Sequence, residues 1–307
     1  MAHQGVGVRR MGPLAKREAL ACYMFIGLAV VGFLVFQVGP IGVSAYLSFT
    51  NSELIGTPAW IGLKNYAEML QDPLLWQSLK VTLLYAAVTV PLALAVSLAL
   101  ALLMNQNIRG VAVFRTVYYL PAVISGVAVA VLWRWIFNPE FGVLNVLLRY
   151  VGIKGPAWLQ DPHTALPSLM LMSLWGIGGG IIIYLAGLQA IPTELYEAVE
   201  IDGGGRRAKF RHITLPMMSP VIFFNVVTGA IWTFQEFTRV YVMTQGGPSN
   251  ATLFYGLYLY RNAFSYFQMG YASALAWVLF LVILLLTLLL FRSARFWVYY
   301  ESQVERT

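Results

Sequence analysis

Six side chains that can hydrogen-bond or stack lie at helical spacing in one apolar run of this 307-residue sequence: Asn225, Thr228, Trp232, Gln235, Glu236 and Arg239. Steps of three or four residues put them on one face of a helix. Polar groups within hydrocarbon are costly and usually face a cavity or another helix. A wet face with an aromatic ring suits a saccharide, whose hydroxyls need hydrogen bonds and whose C–H faces pack on rings.

A second interpretation of this stripe stays open. Asn225 and Thr228 would hydrogen-bond to neighbouring helices and hold them together, while Glu236 and Arg239 would form a local pair near the interface. In the preceding apolar run, Trp175 and Tyr184 are weaker cavity candidates, and the glycines at 176 and 178–180 predict a flexible or closely packed helix segment. Farther back, Ser125 and Gly126 are predicted to be packing residues.

The most polar stretch, residues 191–216, separates two apolar runs of membrane length. Pro192 and Thr193 favour a helix start, and Glu194 and Glu197 would lie in the first turn, where the helix dipole favours negative charge. Leu195, Ala198 and Ile201 would form its apolar side. Three glycines then end the helix, and the basic side chains that follow are Arg206, Arg207, Lys209 and Arg211. The pattern predicts a helix-turn-helix outside the hydrocarbon, which Leu215-Pro216 closes.

Composition indicates an integral membrane protein. Hydrophobic residues make up 59% of the chain and charged residues 11%, against about 25% charged in a soluble domain. Cys22 is the single cysteine, so no intrachain disulfide can form. The three histidines, His3, His163 and His212, are too scattered to suggest a metal site.

Six apolar runs are long enough to cross a bilayer. They cover approximately 19–50, 79–104, 117–137, 166–190, 215–241 and 271–291. The first is too long for a cleaved signal peptide, and Gly39-Pro40 is expected to kink it. Thirteen Lys and Arg residues lie in the termini, the 105–115 loop and the 191–216 segment, against four in the alternate loops. The positive-inside rule therefore places both termini and the 191–216 segment in the cytoplasm.

The 191–216 segment resembles the EAA loop of binding-protein-dependent ABC importer permeases. The resemblance rests on Glu-Ala-Val-x-x-Asp-Gly at 197–203, followed by Phe210, Ile213, Leu215, Pro216 and Pro220. Val199 and Gly204 depart from the family, which usually has Ala at the first position and often at the second. Gly-Leu-x-Asn-Tyr at 62–66 and Thr-Gln-Gly-Gly-Pro at 244–248 are similar to the carbohydrate-uptake class, first-permease type, the maltose and glycerol-3-phosphate kind.

The resemblance implies an all-α integral membrane protein with six transmembrane helices and a cytoplasmic coupling helix, the type I ABC importer permease fold. A cytoplasmic segment (1–18) would precede the permease domain (19–292), and a cytoplasmic tail (293–307) would follow. It also implies a bacterial or archaeal cytoplasmic membrane and a route for di- or oligosaccharides that opens by alternating access. The residues implied in coupling to the ATPase are Glu197, Ala198, Asp202, Gly203, Ile213, Leu215 and Pro216.

The partners implied are a second homologous permease, two copies of an ABC ATPase, an extracytoplasmic sugar-binding protein and membrane lipid, without nucleic acid. The sequence contains no Gly-x-x-x-x-Gly-Lys-Ser/Thr, so ATP and Mg would bind to the ATPase and this chain would hold no cofactor and no metal. The alternatives are a polyol-phosphate importer such as one for glycerol-3-phosphate, an intramembrane enzyme, and a channel or secondary transporter that works alone. Intramembrane His is absent, and no internal repeat is evident.

Overall fold

The computed structural model describes residues 12–53, 56–106 and 110–299. Arg9, Arg10, Arg109 and Arg306, which contribute to the charge bias, lie outside these ranges. Every regular element of the described ranges is helical. Four helices are long and apolar enough to cross a membrane, and two bent helix pairs raise the number of spans to six if each pair is one crossing. The chain is therefore an all-helical membrane protein, as the composition predicts.

The first span consists of α1 (Pro13–Phe33) and α2 (Gly39–Leu47), joined by a π-helical turn at Leu34–Val38. Pro40 lacks an N–H group, and its ring collides with the carbonyl four residues earlier. The π turn removes this conflict, and the helix continues without a break from Lys16 to Leu47. The irregularity predicted at Gly39-Pro40 is thus a π turn just before the proline.

After the C-terminal end of the first span, the chain forms a short helix, α3 (Lys64–Gln71), and then α4 (Pro73–Met104), the second span. The Gly-Leu-x-Asn-Tyr motif lies at the start of α3, where Asn65 donates hydrogen bonds to the carbonyls of Ser48 (2.8 Å) and Thr50 (2.9 Å). Asn65 is buried. It therefore anchors the end of the first span.

The third and fourth predicted spans, at 117–137 and 166–190, are each a bent helix pair. Helices α5 (Val111–Val123) and α6 (Gly126–Ile136) meet at 101°. A short α7 (Val143–Tyr150) precedes α8 (Pro162–Ser173), a 3-10 turn (Leu174–Gly176) and α9 (Gly178–Gln189), where the bend is 47°.

The small residues at the two bends differ in their surroundings. Ser125 and Gly126 are exposed at the α5–α6 bend, so the prediction that they pack against neighbours is wrong for this chain. At the second bend, a Cβ on Gly178 would lie 2.3 Å from the Tyr118 carbonyl oxygen. Close packing against α5 therefore requires glycine there, as predicted.

Residues 191–216 form α10 (Thr193–Ile201), a glycine turn, α11 (Arg206–Lys209) and a π-helical turn (Phe210–Thr214) that runs directly into α12 (Leu215–Phe234). Arg206 to Phe234 is one continuous 29-residue helix. The prediction that Leu215-Pro216 closes the segment is therefore wrong. The π turn precedes Pro216 as the earlier one precedes Pro40, for the same steric reason.

The chain continues through α13 (Thr238–Met243), α14 (Tyr255–Tyr260), a π turn (Arg261–Ser265) and the sixth span α15 (Met269–Ala294). Contacts divide the bundle into two ends. The near end carries residues 191–216, and there Ala101, Ile191 and Met218 share one buried cluster. At the far end, residues 56–72 and 244–268 meet; Phe254 and Leu257 belong to a second buried cluster there.

Asp72 ties the far end together. Its carboxylate accepts hydrogen bonds from the hydroxyls of Tyr258 and Tyr271 and from the backbone N–H groups of Leu74 (2.9 Å) and Leu75 (3.4 Å). Burial alone raises the pKa of Asp72, but the two hydroxyls and the two N–H groups together outweigh it, so this pKa lies below its usual value. The charged carboxylate thus joins α4, α14 and α15.

Candidate translocation cavity and coupling segment

A cavity of about 440 Å³ lies between α4, α9 and α12. Its lining combines hydroxyl, amide and charged side chains with apolar ones. Four of the six α4 residues that line it lie at four-residue spacing, namely Tyr85, Thr89, Ala93 and Ser97, and this run extends over roughly 18 Å of helix. Sequence analysis missed these residues, although their spacing along a predicted span was a signal that could have found them.

Five of the six stripe residues line the cavity: Asn225, Thr228, Trp232, Glu236 and Arg239. Gln235 is exposed and does not belong to the lining. The expectation of one continuous helical stripe is wrong, because α12 ends at Phe234 and Arg239 belongs to the separate helix α13. The break between the two helices turns Glu236 and Arg239 toward the cavity and Gln235 away from it.

The charged pair lies at the far end of the cavity. Arg239 Nη1 is 3.3 Å from Glu236 Oε2, and a side chain at Gly176 would come within 3.7 Å of the same guanidinium. These are the cavity's two charged side chains in the described part of the chain. Because they neutralise each other, the lining carries no net charge.

The near half of the cavity is polar and uncharged. The Asn225 amide donates to the Val221 carbonyl (2.8 Å), and the Thr228 hydroxyl donates to the Phe224 carbonyl (2.8 Å). Both bonds lie within α12, so in this structure neither residue joins two helices. The Asn225 Oδ1 atom remains an acceptor close to Gly180. Side chains satisfied in this way can offer their remaining lone pairs to hydroxyls in the cavity.

In the 191–216 segment, the structure separates a packed face from an exposed face. Leu195 and Tyr196 pack against the near-end cluster, and the Tyr196 hydroxyl lies 3.1 Å from Thr214 Oγ1. Ala198 is exposed, and Ile201 is 86% exposed. The predicted apolar side through Leu195, Ala198 and Ile201 is therefore wrong beyond Leu195, because the buried face turns toward Tyr196 and Val199.

The charges of the segment face outward. Glu194 lies in the first turn of α10, whereas Glu197 lies one turn later, a correction to its predicted position. Within the described residues, Lys209 pairs with Glu200, and Glu197 and Asp202 are exposed without an ion-pair partner. Ile213 is half-buried against the near-end cluster, whereas Leu215 is exposed.

The turn between α10 and α11 brings together the two positions that depart from the expected EAA pattern, Val199 and Gly204. Gly203 has φ +78°, a left-handed conformation that glycine adopts without strain. A Cβ on Gly204 would lie 2.5 Å from Val199 Cγ1 and 2.9 Å from the Val199 carbonyl oxygen. Glycine at 204 therefore leaves the space that the Val199 side chain and carbonyl oxygen occupy.

This architecture, a bent-helix bundle with a cavity and an exposed helical turn at one end, defines a membrane transport subunit. Residues 90–297 match the family described as binding-protein-dependent transport system inner membrane component. The chain belongs to this family. No group of three or more metal-ligating side chains occurs among the described residues.

Similar proteins cover nearly the whole chain. The "Probable ABC transporter permease protein YesP" of Bacillus subtilis is 46% identical, over 99% of this chain and 100% of its own length. The lactose transport system permease protein LacF of Rhizobium radiobacter is 35% identical, over 89% and 93%. A chain of a bacterial alginate ABC transporter, solved with an alginate pentasaccharide-bound periplasmic protein, superposes with a TM-score of 0.81 at 24% identity, over 91% and 95%. This last similarity concerns the fold.

Proposed function

We propose that this chain is a permease subunit of an ATP-driven importer for di- or oligosaccharides. The observation that carries the proposal is the cavity of about 440 Å³ with an uncharged polar near half and a self-neutralised ion pair at its far end. Sugar hydroxyls need many donors and acceptors, and the exposed indole of Trp232 offers a ring surface for the C–H faces. Relatives named for lactose, arabino-oligosaccharides and trehalose/maltose support the sugar class.

The cavity's charge favours a neutral saccharide. A phosphorylated polyol such as glycerol-3-phosphate would need an unpaired cation, and Arg239 already has Glu236 at 3.3 Å. Asn225, Thr228, Trp232, Glu236 and Arg239 contact the sugar on its way through.

In the proposed mechanism, the 191–216 segment receives the motion of the ATPase subunits. Its exposed face, with Glu197, Ala198, Asp202 and Ile201, docks on one of two copies of a separate ATPase, which binds ATP and Mg. Gly203 shapes the turn, and Ile213, Leu215 and Pro216 carry the displacement into α12. Because Arg206 to Phe234 is one helix, a tilt of the segment reaches the cavity wall directly. The chain itself hydrolyses nothing and binds no cofactor.

The proposed assembly lies in the cytoplasmic membrane of a bacterium or archaeon. Both termini and the near end face the cytoplasm, with 1–18 and 293–307 as cytoplasmic segments around the bundle 19–292. A second homologous permease closes the open side of the cavity, and an extracytoplasmic binding protein delivers sugar to the far end. Membrane lipid covers the apolar surface that remains.

Sugar uptake into right-side-out membrane vesicles tests the proposal. Vesicles from cells that carry the native gene cluster are loaded with ATP and supplied with the binding protein. We expect uptake of at least one of labelled lactose, maltose or arabino-oligosaccharide, which stops when ATP is omitted and persists when ionophores collapse ion gradients. Uptake that follows the ion gradient without ATP would contradict the proposal and favour a secondary transporter. Uptake of glycerol-3-phosphate alone would contradict the sugar assignment.

A further inference from the structure

Two buried side-chain polar atoms of the described residues have no hydrogen-bond partner, Trp133 Nε1 and the Tyr184 hydroxyl. Tyr184 is 1% exposed and belongs to the wall of the cavity. A buried hydroxyl without a partner costs free energy, and such groups are rare in native proteins. A phenylalanine would fill the same volume without this cost, so the hydroxyl calls for a use that this structure does not show.

The position of Tyr184 is the near-end limit of the cavity. Its aromatic ring packs in the near-end cluster with Ile181, Leu188 and Met218. One turn toward the far end, Gly180 lies beside Ser97 and Asn225 of the cavity wall. Tyr184 therefore lies at the point where the polar lining gives way to a closed apolar contact.

The contact beyond Tyr184 joins α9 to α12. A Cβ on Gly187 would lie 3.0 Å from Val221 Cγ2 and 3.1 Å from Met218 Sδ, so the two helices touch with no space for a sugar. Met218 and Val221 belong to the continuous helix that begins at Arg206. A displacement of the 191–216 segment therefore acts directly on this contact.

We infer that Tyr184 is the exit gate residue of the cavity, and that its hydroxyl hydrogen-bonds a saccharide hydroxyl when α9 and α12 separate. The inference rests on the proposed function and adds a role for one residue in the release step. In the closed arrangement the ring of Tyr184 seals the near end, and its hydroxyl has no partner. When the contact opens, the hydroxyl meets the sugar as the sugar leaves the cavity.

Tyr184→Phe tests the role of the hydroxyl in the full transporter. We expect the maximal uptake rate of the saccharide that the vesicle assay identifies to fall about three- to tenfold, the effect of one lost hydrogen bond to a substrate. The half-saturation concentration stays unchanged, because the buried hydroxyl does not take part in loading. Thermal stability stays equal or rises, because an unpaired buried hydroxyl is removed. An unchanged uptake rate would overturn the inference.

Tyr255→Phe is the matched control. The Tyr255 hydroxyl is also buried, but it donates to the Leu275 carbonyl at 2.8 Å and lies outside the cavity lining. We expect this variant to melt at a lower temperature and to keep the uptake rate per folded complex. A normal uptake rate with a lower melting temperature for Tyr184→Phe, together with a reduced uptake rate per folded complex for Tyr255→Phe, would contradict the gate assignment.

A cysteine at the same position gives a second readout. In a Cys22→Ser background, Tyr184→Cys is exposed to a water-soluble maleimide. Labelling is expected to be slow without ATP and at least several times faster during turnover with ATP, binding protein and sugar. Equal labelling rates would overturn the gate. Wild-type vesicles that take up none of the saccharides would instead refute the proposed function, so the two failures are distinguishable.

Discussion

The two ends of the bundle are built in opposite ways. At the far end, Asp72, Asn65 and Tyr255 hold the polypeptide through hydrogen bonds between segments that are distant in the sequence. At the near end, the 191–216 segment has a short packed face and leaves most of its charged side chains exposed. The far end is a braced frame, and we propose that the near end, residues 191–216, is a docking lever for the ATPase. A surface that docks on a partner must expose unpaired charged groups, whereas a rigid region must pair its own polar groups through internal hydrogen bonds.

The largest effect is expected at the lever. Glu197→Lys reverses the charge on the proposed docking face without touching the packed face, so we expect uptake to be abolished while membrane insertion remains normal. The measurement is sugar uptake in vesicles that contain equal amounts of the protein. Glu194→Lys is the control, since this exposed carboxylate lies one turn earlier on the same helix. Normal uptake by Glu197→Lys would remove the coupling role from this residue.

The next effect concerns the cavity between the two ends. Asn225→Leu removes an amide acceptor from the near half, so we expect the half-saturation concentration for the sugar to rise about tenfold, with the complex still assembled. Transport kinetics and co-purification of the subunits measure the two outcomes separately. If the complex failed to assemble, Asn225 would be a packing residue, as in the alternative interpretation of the stripe.

A smaller effect is expected at the frame. Asp72→Asn keeps the shape but loses the charge that accepts two hydroxyl and two backbone donors, and we expect a loss of about 1–3 kcal/mol in stability at pH 7. The folded pKa of Asp72 is lowered, so its contribution is complete above the unfolded pKa and disappears as the pH falls through the folded value. In thermal unfolding in detergent, the melting temperatures of the wild type and of Asp72→Asn should therefore differ at pH 7 and coincide in strong acid. A gap that persists in acid would contradict this account.

The smallest effect is expected at the contact between Val199 and Gly204 in the turn. Gly204→Ala places a methyl group against Val199, so we expect a loss of about 1 kcal/mol. Val199→Ala in the same chain should recover most of that loss, although the Val199 carbonyl oxygen at 2.9 Å still has to shift slightly. A double-mutant cycle of thermal unfolding measures the coupling. Additive effects would show that the two departures are independent.

Parts of this architecture could be predicted from the sequence and parts could not. Pro192 and Thr193 predicted the helix start and the three glycines at 203–205 predicted the turn, because glycine and helix-start chemistry act locally. The break after Phe234 could not be predicted, because the residues from 234 to 237 contain neither proline nor glycine. The apolar face of α10 was misassigned because Ile201 remains exposed, an arrangement that suits a partner surface rather than a core.

The proposed docking lever is tested most directly by identifying the subunits that co-purify with this chain. Gentle detergent extraction from native membranes, followed by mass spectrometry, should find a second permease and an ATP-binding subunit with this chain. Glu197→Lys should lose the ATP-binding subunit and keep the permease. Recovery of the chain alone, or of a homo-oligomer without an ATP-binding subunit, would contradict the account and shift support to a channel or secondary transporter.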